Sequence, residues 1–116
     1  MSNLVVDTLT NQDSQLCKAW VNFSGSGTVA IRASYNVSSI TDLAVGVFGV
    51  NFTAAMSDAN YSVVATSSYG ETANADTTAW GGSSGADQTT SQVRCATRTS
   101  AGAFADPDYI CVAVFR

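Results

Sequence analysis

The chain has 116 residues, 46% of them hydrophobic and only 12% charged, with a net charge of −4 at pH 7. This length suits one domain, and the cations are too few and too scattered to replace the counterions of nucleic-acid phosphates, which excludes nucleic-acid binding. No apolar run reaches the roughly 18 residues of a membrane span, so we expect no membrane insertion. Serine and threonine, 28 residues in all, take the place of charges on the surface.

The first predicted elements form a hairpin. Ala19–Phe23 alternates as a strand, with Val21 and Phe23 on one face and Trp20 on the other, so that Trp20 packs either on a second sheet or on a neighbouring subunit. Ser24–Gly27 (SGSG) is a turn, and Thr28–Ala33 is the returning strand.

Three further strands are predicted in the middle of the chain. Tyr35–Ile40 is followed by a turn at Thr41 and Asp42, and Val45–Phe52 is the next strand. Gly46 and Gly49 fall inside that strand and indicate a bulge or a close backbone approach. A loop at Ala54–Asn60 then leads into a strand at Tyr61–Ser67.

The last predicted strands are Thr77–Trp80, Thr89–Arg98 and Tyr109–Arg116, with a turn at Ala101–Asp108 before the final one. Seven to eight short strands with glycine-rich turns predict an all-β fold, an antiparallel β-sandwich over residues 17–116. The core should include four phenylalanines that lie within apolar strands, namely Phe23, Phe48, Phe52 and Phe115.

Residues 1–16 differ from the rest, because one short apolar run is followed by polar residues. We interpret them as a docking arm, with a frayed end or an extra edge strand as the alternatives. The residues expected to dock are Leu4, Val5, Val6 and Leu9. This segment lacks the basic stretch and apolar core of a signal peptide, so we expect cytosolic synthesis without export by the general secretory route.

The three cysteines, Cys17, Cys95 and Cys111, show no short spacing. A Cys95–Cys111 pair is geometrically possible, but three free, buried thiols suit a protein that folds in a reducing cytosol. The sequence has no histidine and no CxxC motif, so we predict no metal site and no cofactor.

Catalysis is not indicated either, since the commonest general base is missing and Glu71 is the only glutamate. Asp106 and Asp108 flank Pro107, and we interpret them as turn residues that cap backbone amides rather than as a catalytic pair or calcium ligands. We therefore predict that the protein is not an enzyme.

Three stretches carry a family resemblance: KAWVNFSGSGTVAIRASYNVSS at 18–39, VNFTAAMSDANYSVV at 50–64 and VRCATRTSAGAFADPDYICVAVFR at 93–116. They resemble small tail-fibre-like structural proteins and C-terminal fibre modules of tailed bacteriophages of aquatic bacteria. The resemblance covers nearly the whole chain and is weakest at 41–49 and 68–92.

The resemblance implies a virion structural protein, acting as a homotrimer in host-surface attachment. In this hypothesis the arm contacts other virion proteins, and loops contact a host glycan or receptor. A capsid decoration or cement protein on the phage head is the alternative, and a polysaccharide hydrolase is the least favoured hypothesis, because no carboxylate pair is visible.

The hydroxyl-rich segment 67–88 is the predicted recognition loop, since aromatic rings beside amides, carboxylates and hydroxyls are suited to sugars. An aromatic lid over the sandwich core is the alternative for its Tyr and Trp. The candidate receptor-facing residues are Tyr69, Glu71, Asn74, Asp76, Trp80 and Asp87.

Overall fold

The computed structural model describes residues 17–68, 75–80, 88–99 and 102–116, with 75–80 described by their backbone alone. These residues form eight strands. In chain order they are β1 (Cys17–Ser24), β2 (Ala30–Tyr35), β3 (Val37–Ala44), β4 (Val47–Phe52), β5 (Ser62–Ser67), β6 (Ala75–Trp80), β7 (Gln92–Thr99) and β8 (Ile110–Phe115).

The strands form two four-stranded sheets. Sheet I has the order β2-β1-β8-β5, and sheet II has the order β3-β4-β7-β6. Every neighbouring pair is antiparallel. The two sheets pack face to face, which confirms the predicted all-β sandwich. The predicted arm, residues 1–16, lies outside the described residues.

The β1–β2 hairpin is confirmed, with Trp20 paired to Tyr35 and Ser24 paired to Ala30. The returning strand starts and ends two residues later than predicted, and its register against β1 shifts at a bulge between Asn22 and Phe23. β2 is one of the two edge strands of sheet I, and all its residues are exposed.

The predicted turn at Thr41 and Asp42 is wrong. Strand β3 continues through both residues to Ala44, and the chain turns at Val45 and Gly46 instead. Gly46 is therefore a turn residue with φ of +69°, and a Cβ there would lie 2.6 Å from the Thr97 carbonyl oxygen. Only glycine combines this backbone conformation with so close an approach.

Asn36 forms the corner at which the chain crosses from sheet I to sheet II, with φ of +55°. Its amide nitrogen donates to the Lys18 and Ala54 carbonyl oxygens, each at 3.1 Å. Its amide oxygen accepts from the Ala54 backbone N–H at 2.7 Å. One asparagine side chain thus links β1 to the segment that follows β4, and asparagine is among the residues that best tolerate a positive φ.

The core lies between the sheets and is built by alternation along the central strands β1, β7 and β8, while β4 buries the three consecutive residues Phe48, Gly49 and Val50. Ala19, Val21 and Phe23 of β1 are buried, and Phe23 meets Phe48 of β4 edge to face with ring centroids 5.4 Å apart. A second edge-to-face pair joins Phe52 to Tyr61 at 5.8 Å. Such pairs add about 1 kcal/mol to the burial of the rings.

Three of the four phenylalanines predicted for the core are buried, but Phe115 is not. Its side chain is 40% exposed, because alternation along β8 points Ile110, Val112 and Val114 inward and leaves Phe115 on the opposite face. The prediction for Phe115 is therefore wrong.

Candidate functional site

The residues predicted from the sequence as sites fall mostly beyond the described ranges. This holds for the arm residues Leu4, Val5, Val6 and Leu9, and for the loop residues Tyr69, Glu71, Asn74 and Asp87. Asp76 and Trp80 lie on β6, whose backbone alone is described, and Trp80 is the register partner of Cys95.

The described residues place a different feature on the surface, at the outer face of sheet I. Strand register aligns one residue from each of its four strands into a row that crosses the sheet. The row runs Tyr35, Trp20, Ala113 and Val64. Three of its side chains are large and exposed: Trp20 by 40%, Val64 by 56% and Tyr35 by 57%.

A shallow groove follows β8 and includes three residues of this row, Trp20, Ala113 and Val64. Its floor is made of small side chains, Ala113 and Cys111, while Trp20 and Val64 stand on the neighbouring strands. The depression has a volume of about 310 Å³. We name the whole surface the apolar face and define it as Trp20, Tyr35, Val64, Cys111, Ala113 and Phe115.

Two cations border the apolar face: Lys18 is the second residue of β1, and Arg32 lies on β2. The Arg32 guanidinium stacks on the Tyr109 ring, 3.8 Å from its centroid, and donates to the Asn22 amide oxygen at 3.4 Å. None of the four strands of sheet I contains an acidic residue. The face therefore carries positive charge at its border and no negative charge, and the Arg32 guanidinium is held by a cation–π contact.

The outer face of sheet II is polar by contrast. The Asn51 amide nitrogen donates to Ser39 Oγ at 3.0 Å and to Thr41 Oγ1 at 2.9 Å, and the Gln92 amide donates to the Asn51 amide oxygen at 2.6 Å. Gly49 leaves room for Gln92, since a Cβ there would lie 2.6 Å from its Nε2. The close approach at Gly49 is thus made by a side chain and not by the backbone that the sequence predicted.

An exposed ion pair lies at the end of the sandwich where β8 finishes. Arg116 donates to both oxygens of the Asp58 carboxylate, at 3.0 and 2.7 Å. Hydrogen bonding from Arg116, and then from the Asn60 backbone, lowers the pKa of Asp58. The carboxylate is therefore kept charged and paired, which is the opposite of what a general acid requires.

The thiols are free, but only Cys95 is buried; Cys17 and Cys111 are half-buried. Cys95 lies in the core on β7 and Cys111 on the outer face of sheet I, so a bond between these two would have to cross a sheet. Burial raises the pKa of the Cys95 thiol to about 12. This thiol is thus an inert core residue.

Asp106 caps a backbone amide, as predicted, since its carboxylate accepts from the Gly46 backbone N–H at 2.7 Å, but this amide belongs to the turn between β3 and β4 and not to the turn at Asp106 itself. Within the described ranges, no group of three histidine, cysteine, aspartate or glutamate side chains could hold a metal ion. The same part of the chain contains no helix that could cross a membrane.

Sequence reasoning found Trp20 on the outward face but missed Tyr35, Val64 and Phe115 as its neighbours. The missing information was the strand order, because Tyr35, Val64 and Trp20 come from three different strands. What the described residues offer is an exposed apolar surface on sheet I. No protein-family model, curated protein or solved structure matches this chain.

Proposed function

We propose that this chain is a structural protein of a phage particle, a tail-fibre-type module that assembles with other copies and attaches to the host surface. The phage origin and the homotrimer rest on the resemblance of residues 18–39, 50–64 and 93–116. The observation that carries the proposal of assembly is the apolar face, which leaves aromatic and aliphatic side chains exposed on the outer face of sheet I.

Exposure of this kind is unfavourable for a protein that remains alone in water. Each Å² of apolar surface removed from water stabilises by about 25 cal/mol, and contiguous apolar patches on soluble proteins commonly mark interaction sites. With 12% charged residues, the chain has few charges to keep copies apart. A protein that works within an assembly accounts for both the exposed apolar face and the low content of charged residues.

The two ends of the sandwich suggest how such a module would be oriented. Cys17, the residue that follows the predicted arm, pairs with Phe115 at one end of the sandwich. Gln88 lies at the same end, where its side-chain amide donates to the Tyr61 carbonyl oxygen at 2.7 Å. Ser68 lies at the other end, where its N–H donates to the Tyr109 carbonyl oxygen at 2.8 Å.

Strand β6 therefore divides the proposed recognition segment into two parts. The first part, which contains Tyr69, Glu71 and Asn74, begins after Ser68, a residue at the end opposite Cys17; the second part, which contains Asp87, leads to Gln88, a residue at the same end as Cys17. If the arm docks on the particle, host contact should depend on Tyr69 and its neighbours and not on Asp87.

The location on the particle is tested by counting and placing copies on purified virions by cryo-electron microscopy. A few to tens of copies at the tail would support the fibre module. Hundreds of copies on the capsid would overturn it in favour of a decoration protein.

Host contact is tested by adsorption of phage that carry Tyr69→Ala, with Asp87→Ala as the matched loop control. We expect slower adsorption for Tyr69→Ala alone. Equal adsorption of both variants and the parent would contradict the proposed recognition end.

A further inference from the structure

We propose that two copies of this chain pack through their apolar faces, about a twofold axis that runs parallel to the strands between β1 and β8. Strand register supports this contact, which does not depend on the proposed virion role. In this arrangement the two β1 strands lie over each other's β8, and the two β2 strands lie over each other's β5.

The first reason is that the apolar face is complementary to itself. Trp20 and Ala113 are register partners, so they lie at the same height along neighbouring strands. A twofold axis midway between these strands places each Trp20 over the partner's Ala113. A large side chain then meets the groove twice, as an isologous contact requires.

The same twofold axis also brings the residues at the two ends of the row together. Tyr35 on β2 comes over Val64 of the second copy, because these residues end the same row at opposite edges of the sheet. In the neighbouring row, Asn22 comes over Cys111, since these two are also register partners. Each contact pairs a bulkier residue with a smaller one, at the spacing of about 10 Å that packed sheets adopt.

The second reason is the distribution of charge. The four strands carry no acidic residue, so the face offers nothing that would attract a cationic partner. Two cations lie beside the face: Lys18 on β1, and Arg32, whose guanidinium reaches from β2 to Asn22 and Tyr109. We therefore expect association to strengthen with added salt, which screens the repulsion between these cations.

The size of the apolar face limits how tightly two copies can bind each other. Four strands of about six residues cover about 19 by 20 Å. Two such faces together cover roughly 760 Å², which is below the roughly 1,200 Å² of the smallest specific interfaces. We therefore expect a weak, reversible dimer. If the protein also forms a trimer through another surface, the twofold contact joins two trimers into a hexamer.

The test is sedimentation velocity of the full chain from micromolar to near-millimolar concentration. Trp20→Thr removes the indole and keeps a strand-forming residue. Ala113→Lys puts a charge in the groove. Leu43→Lys is the matched control, because Leu43 is as exposed as Trp20, at 40%, but lies on β3 of the other sheet.

We expect the parent and Leu43→Lys to show the same dimer or hexamer, with an unchanged dissociation constant. Trp20→Thr should raise the dissociation constant about thirtyfold, as loss of a central tryptophan does at an interface. Ala113→Lys should leave half-size particles at every concentration. Circular dichroism checks that each variant is folded.

A second measurement uses the parent protein alone. Alkylation of Cys111, read by peptide mass spectrometry, should slow as the dimer forms, because the proposed contact covers this thiol. A parent that remains monomeric throughout would overturn the proposal, as would a trimer that Trp20→Thr leaves unchanged. Alkylation of Cys111 at a rate independent of concentration, while the dimer forms, would also overturn it.

Discussion

The contrast between Phe48 and Phe115 gives the sharpest test of the sandwich. Both are phenylalanines on central strands, and sequence alone predicts both for the core. Phe48 is fully buried against Phe23, whereas Phe115 is 40% exposed. The same substitution to leucine at the two positions therefore isolates the effect of burial.

Phe48→Leu removes three carbons worth about 0.8 kcal/mol each when buried, and it also removes a ring contact worth about 1 kcal/mol. We expect the free energy of unfolding to fall by about 3 kcal/mol, which a domain of ordinary stability, about 5–15 kcal/mol, tolerates. Phe115→Leu should cost about 1 kcal/mol or less, because its ring is partly in water and makes no core contact.

Urea unfolding followed by circular dichroism measures both values, at a protein concentration low enough to keep self-association out of the comparison. The midpoint should move much further for Phe48→Leu, with similar slopes for the two variants and the parent. Equal losses at the two positions would show that Phe115 is buried, and would refute the assignment of the outward face of β8.

Two further predictions concern the core and one turn. Burial raises the pKa of Tyr61 from 10.0 and of Cys95 from 9.0, each to about 12, so the neutral forms are favoured in the folded state. The free energy of unfolding should be level below pH 9 and should fall between pH 9 and 12. The fall should be smaller in Cys95→Ala and in Tyr61→Phe, and urea unfolding across that pH range measures it. Gly46→Ala should cost several kcal/mol, because it adds a clash with the Thr97 carbonyl oxygen to the penalty of a positive φ. Gly27→Ala, also at positive φ but with open space around it, should cost only about 1–2 kcal/mol; equal melting temperatures for the two variants would contradict the close approach at Gly46.

The strands that the sequence predicts well are those with one face in the core. Ala19, Val21 and Phe23 alternate with polar residues or with Trp20, and burial follows that alternation. Strand β3 has exposed residues on both faces, so no alternation marks it, and Thr41 and Asp42 resemble a turn. Gly46 stands between two valines and resembles a strand interior, although its backbone conformation belongs to a turn.

The apolar face could be predicted only in part, because local pattern assigns a residue to a face but not to a neighbour. Alternation with Ile110, Val112 and Val114 already places Phe115 outward, so that signal was present in the sequence. Nothing local indicates that Tyr35 and Val64 share a row with Trp20. That requires the strand order, in which β8 separates β1 from β5.

The position of β8 has a consequence for synthesis on the ribosome. The last of the eight strands in chain order is a central strand of sheet I, and it pairs with β1 on one side and with β5 on the other. The hairpins β1–β2 and β3–β4 can form early from neighbouring residues, but β1 and β5 keep open edges until residues 110–115 have emerged. Open edges recruit other chains, so this fold passes through its most aggregation-prone stage just before it is complete.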